Sequence, residues 1–114
     1  MNKFFLILLF LVSIPATGSD WKQLSGIYAI TPEYYLDPSE EEDPKSHLRL
    51  QLSGESAKDL YSAMKVEVVI DECTGGKAKN IGNMQCLYFE DQNKYDCHFS
   101  IKLNEQTIDY GVAC

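Results

Sequence analysis

The chain has 114 residues, with 17 acidic and ten basic side chains, a formal net charge of −7 and four cysteines. A length of this order holds one small domain, and the acidity sets nucleic acid and anionic lipid aside as partners, because both carry the same sign of charge. What such a chain would attract is a basic protein or a cation.

Residues Met1 to Gly18 read as a secretory leader: Lys3 gives a positive start, Phe4 to Ile14 is an apolar run, and Ala16-Thr17-Gly18 is a small-residue cleavage site. The run is shorter than the ~20 residues of a membrane span, and Pro15 breaks it. The expectation is therefore a single exported domain over residues 19–114, periplasmic or extracellular, with no membrane span and no lipid anchor, since no cysteine lies beside the cleavage point. In an oxidising compartment an even number of cysteines points to two disulfides, a staple that a small core needs.

Trp21 opens the domain, and Gly26–Ile30 is a short strand that Pro32 ends. Tyr34 and Tyr35 follow, then a loop over residues 37–44 with five carboxylates, Asp37 just before Pro38 and Glu40, Glu41, Glu42 and Asp43 between Pro38 and Pro44. Like charges keep such a loop extended and solvated. The spacing lacks the Asp-x-Asp-x-Asp-Gly of a calcium loop, so a solvated loop is the favoured expectation, and its functional use would be as a cation site or as a landing surface for a basic partner. His47–Leu52 alternates, with Leu48, Leu50 and Leu52 on one face, which is the period of a half-buried strand. Ser53 stands at an N-cap position and Glu55 at the positive end of a helix dipole; Ala57, Leu60, Tyr61 and Met64 share one helical face over Gly54–Met64. Lys65–Asp71 reads as a strand with Val66, Val68 and Ile70 inward, and Cys73 to Lys77 as a turn toward a hairpin.

That hairpin is the clearest feature of the sequence. Tyr95, Cys97, Phe99, Ile101 and Leu103 alternate with polar residues, Met84, Cys86 and Tyr88 alternate upstream with Gln85, Leu87 and Phe89, and Glu90 to Asn93 supply turn formers between the arms. A tip at Asp91 and Gln92 places Cys86 opposite Cys97 and Tyr88 opposite Tyr95. Opposed Cβ atoms ~4.5–5.5 Å apart are near what a disulfide tolerates. The expected bridges are Cys86–Cys97 and Cys73–Cys114, although four cysteines allow three connectivities and spacing alone leaves the other two open. Thr107–Cys114 reads as a last strand. Strand, helix and then consecutive strands give an α+β fold: a small antiparallel sheet, a meander or hairpin, packed with one short helix and stapled by disulfides.

The run Ser53-Gly-Glu-Ser-Ala-Lys-Asp-Leu-Tyr61, the later Gly82-Asn-Met-Gln-Cys86, and Tyr95-Asp-Cys97 followed by Ile101 resemble a pattern in small exported bacterial proteins of uncharacterised function. The resemblance covers Leu50 to about Leu103. It implies a bacterial, exported origin and supports the Cys86–Cys97 pair, and it carries no activity with it.

Enzymatic chemistry has little to work with. His98 shares a strand face with Asp96 and Ser100, but same-face neighbours stand ~7 Å apart, too far for a proton relay. The cysteines show no short-spaced zinc knuckle. Gly75-Gly76-Lys77 lacks the spacing and hydroxyl residue of a phosphate loop. No cofactor or metal is expected, and recognition of a protein remains. Its candidate contact residues are Tyr34, Tyr35, Glu40, Glu41, Glu42, Leu87 and Phe89. For Leu87 and Phe89, which point away from the Cys86 face, the favoured expectation is that the N-terminal segment with Trp21 and Tyr28 folds over and buries them.

Overall fold

The computed structural model describes residues 20–33 and 45–111. The expected leader 1–18, Tyr34, Tyr35, the loop 37–44 and Cys114 lie outside them. In chain order the elements are β1 (Gly26–Thr31), β2 (His47–Ser53), α1 (Gly54–Ala63), β3 (Val69–Ile70), β4 (Lys77–Ile81), β5 (Met84–Phe89), β6 (Lys94–Lys102) and β7 (Thr107–Asp109). The strands form one antiparallel sheet in the order β1-β2-β6-β5-β4-β3. β7 pairs with the end of β6 that β5 leaves uncovered, Ser100 facing Asp109 and Lys102 facing Thr107. Among the described residues the fold is the expected α+β arrangement, an antiparallel sheet with one short helix and a disulfide staple.

The register follows the side-chain alternation. Cys86 faces Cys97 and Tyr88 faces Tyr95 across the hairpin, while Leu52 faces Cys97, Leu50 faces Phe99 and Leu48 faces Ile101 across β2 and β6. The Cys86–Cys97 disulfide joins Cα atoms 3.9 Å apart. The helix lies on this same face. Ala57, Met64, Cys86 and Cys97 form its buried centre, with Leu52, Leu60, Tyr61, Met84 and Tyr95 packed around them. Ala57 is fully buried, and Cys97 Sγ lies 3.5 Å from its carbonyl oxygen, so the helix rests directly on the bridge.

The chain passes from β2 to α1 without a loop, and Gly54 makes that reversal in the left-handed region, at φ +57°. Ser53 holds the N-cap position, but its hydroxyl makes no capping bond; Ser56 Oγ instead accepts the Ser25 N–H at 2.8 Å. At the other end the Met64 N–H reaches the Leu60 and Tyr61 carbonyls. Lys79 donates to the Tyr61 carbonyl at 2.9 Å with its ammonium 4.4 Å above that residue's ring, placing a cation where the helix dipole is negative. The Tyr61 hydroxyl donates to the Lys77 carbonyl, and Tyr61, Tyr88 and Tyr95 meet in tilted, edge and stacked contacts.

Three expectations are corrected. Lys65–Asp71 is not an inward-facing strand: only Val69 and Ile70 pair, with Ala78 and Lys77, and are exposed on the last strand of the sheet, while Val66 and Val68 are exposed in the segment before it. The chain beyond Cys73 does not simply turn toward the hairpin but adds β4 before it. Nor does the N-terminal segment cover Leu87 and Phe89. It runs along the far side of β2 as β1, so that β2 and β6 stand between it and β5. The segment following β7 crosses the face opposite the helix: Ser100 Oγ donates to the Tyr110 carbonyl at 2.8 Å, and Gly111 lies so close to the backbone of His98 and Phe99 that a Cβ there would sit 2.5 Å from Phe99 N.

Candidate functional site

The histidine that finds a serine and an aspartate is His47, not His98. At the start of β2 its Nδ1 is 2.9 Å from Ser46 Oγ and its Nε2 is 3.3 Å from Asp109 Oδ2. Neighbouring residues supply the first contact, while the second needs the β2–β6–β7 register to bring Asp109 across. The His47 side chain is 3% exposed, and both ring nitrogens are occupied. A general base needs an open nitrogen beside a reachable nucleophile and space for a reacting atom; here the imidazole joins β2 to β7. The Tyr110 N–H and His47 both hold the Asp109 carboxyl below its ordinary range, the backbone N–H being the larger cause.

Arg49 does comparable work one position along the same face. Its Nε donates to Thr31 Oγ1 at 2.7 Å, Nη1 to the Gly111 carbonyl at 2.9 Å and Nη2 to the Glu33 carbonyl at 3.1 Å. One guanidinium thus gathers the end of β1 and the segment after β7, a use of the planar donor fork that lysine would not match.

His98 lies between Gln51 of β2 and Gln85 of β5. It shares its face with Asp96 and Ser100 as the alternation required, yet Ser100 is fully buried and turned to Tyr110. Nδ1 of His98 is buried without a hydrogen-bond partner. Burial lowers the His98 pKa, against the smaller opposing pull of Asp96 and Asp71. Asp71 is itself held below its usual range, chiefly by the Thr74 hydroxyl, which donates to Oδ2 at 2.7 Å. Among the described residues no group of three or more His, Cys, Asp or Glu side chains is arranged to hold a metal ion.

Of the expected contact residues, Leu87 is 4% exposed and offers no side-chain surface. Phe89 is half-buried with its ring against Gly76, where a Cβ would come within 2.9 Å of it. Tyr34, Tyr35, Glu40, Glu41 and Glu42 lie outside the described residues. Cys86 and Cys97 are bridged to each other. Cys73 is also disulfide-bonded, and Cys114, its expected partner, is outside the described residues. Among the described residues no helix is long and apolar enough to cross a membrane.

The surface that sequence reasoning passed over is the β1 edge. Ile27 and Tyr28 are 68% and 71% exposed and point to opposite faces, and Leu24 and Ile30 are exposed beside them. From Gln23 to Pro32 the chain carries no charged residue. The Ser25 carbonyl accepts the Ser53 N–H and the Thr31 carbonyl accepts the Ser46 N–H. By the two-residue period of an antiparallel ladder, odd positions of β1 therefore bond toward β2, and Gly26, Tyr28 and Ile30 turn their N–H and C=O groups outward. Gly26 is fixed there by close approach, since a Cβ would stand 2.2 Å from the Gln51 carbonyl oxygen. Natural sheets blunt such edges with lysine, proline or short length. β3 fits that rule, with two residues followed by Asp71 and Glu72; β1, with six uncharged residues, does not.

No known protein family, no curated protein and no solved structure matches the chain.

Proposed function

We propose that this chain is an exported, disulfide-stapled binding protein that acts by contact with another protein rather than by turnover. The observation that carries the reading is the β1 edge: six uncharged residues, side chains exposed on both faces, and outward backbone groups with no partner among the described residues. Such an edge is the form in which proteins accept an added strand, the backbone giving affinity and the alternate side chains selectivity. The bridged cysteines suit an oxidising compartment.

The finer version is an inhibitor or immunity protein for a basic envelope hydrolase, and what favours it is the surplus of 17 acidic over ten basic residues. The alternative is a structural or accessory envelope protein. Affinity capture from an envelope extract, followed by titration of the captured activity, separates them. A hydrolase whose activity falls as the protein is added supports the inhibitor; a stable complex with undiminished activity supports the accessory role. Turnover of a substrate by the purified chain, abolished in His98→Ala, would overturn the non-enzymatic reading.

A further inference from the structure

Resting on that reading of the β1 edge, we infer that its occupant is the β1 strand of a second copy of this chain, added antiparallel about a two-fold axis through Tyr28. The outward groups fix the register. A two-fold axis perpendicular to the sheet sets a residue of β1 opposite its own equivalent, and the two residues at the middle of this six-residue strand are Tyr28 and Ala29. Centred on Tyr28, all three outward residues fall in hydrogen-bonded pairs: Tyr28 with Tyr28 of the second copy, and Gly26 with Ile30 in both directions. Centred on Ala29, Gly26 would face Pro32, which has no N–H to give. Tyr28 and Ile30 alone would then remain paired.

Side-chain size agrees with the same register. Ile30 meets Gly26 of the second copy on the helix face, and Ile27 meets Ala29 on the other, so each isoleucine lies against a small residue, while the two Tyr28 side chains meet at the axis. Charge argues for a second copy over a basic partner at this edge. Two copies of net charge −7 repel elsewhere, but the stretch Gln23 to Pro32 brings no like charges together. It also offers a cation nothing to pair with. Because the axis is perpendicular to the sheet, both α1 helices fall on the same face of one continuous sheet.

The test uses the purified exported chain with its native disulfides. Sedimentation velocity over a concentration series is expected to show a monomer–dimer equilibrium. Tyr28→Pro removes an outward N–H without touching a bond to β2, and Tyr28→Lys sets two cations opposite each other; each should weaken the dimer by about tenfold or more, with the circular dichroism of the fold retained. Should Tyr28→Pro misfold, Tyr28→Lys and a register probe suffice. Hydrogen-bonded partners have Cα atoms ~5.5 Å apart, within disulfide reach, so Tyr28→Cys should cross-link two copies on mild oxidation. Ala29→Cys, ~7–8 Å from its equivalent across a diagonal, should do so far less. A wild-type chain that stays monomeric throughout, a Tyr28→Lys dimer as tight as wild type, or cross-linking of Ala29→Cys equal to Tyr28→Cys overturns the inference. A monomer whose β1 edge still cross-links to an envelope protein would overturn self-pairing while leaving the binding reading intact. A dimer that captures no other protein would do the reverse.

Discussion

Cys86 and Cys97 are fully buried beneath Ala57 and close an 11-residue separation at the centre of the core. Cross-linking a loop of this size removes roughly 3 kcal/mol of chain entropy from the unfolded state. The double variant Cys86→Ala/Cys97→Ala should therefore lose about 2–4 kcal/mol of stability, read from the urea midpoint. The two histidines separate by experiment. Replacing His47 with alanine breaks the contacts to Ser46 and Asp109 and leaves a hole in a buried corner, which should cost about 2–4 kcal/mol in the same measurement. At His98 the effect is one of pH. Burial sets its folded pKa below the ordinary 6.5, so as pH falls the unfolded chain takes up the proton first. His98 thus contributes a stability that is whole above 6.5 and declines as pH drops toward the lower folded value. Melting temperatures from pH 7.5 to 5 should fall in the wild type, and His98→Gln should flatten the part of that slope belonging to this residue.

At the scale of elements, the helix is held by its fit to the disulfide more than by its cap. Ala57 has no free surface and its carbonyl touches Cys97. Ala57→Leu should lift α1 from the sheet and cost about 1–3 kcal/mol, seen as a lowered melting temperature with the disulfide intact. Much of this layer was legible beforehand. The hairpin's strict alternation set its face and register, and Ala57, Leu60, Tyr61 and Met64 marked the helical stripe. β4 was not legible, because in Lys77-Ala-Lys-Asn-Ile81 only Ala78 is buried. Its lysines act through their ends instead, Lys77 on Glu90 at 2.9 Å and Lys79 on the Tyr61 carbonyl. Val66 to Ile70 misled in the opposite sense, since its valines and isoleucine have the composition of a core strand, yet only Val69 and Ile70 pair, and they do so on the outermost strand.

For the whole molecule, the candidate surface was hidden from sequence for a related reason. Gly26–Ile30 announced a strand, but only the order β1-β2-β6 shows that nothing described lies beyond it and which of its amides turn away from β2. Likewise Ser46 and His47 are sequence neighbours, and only the sheet supplies Asp109. That sheet also has a centre: β6 is paired to β2 along one side and to β5 and then β7 along the other. Deuterium from solvent should accordingly enter last at Tyr95 to Ile101, and earliest at Val69 and Ile70 on the short outer strand. The labelling order would trace how the protein comes apart, from its margins inward to a seam whose release coincides with global unfolding.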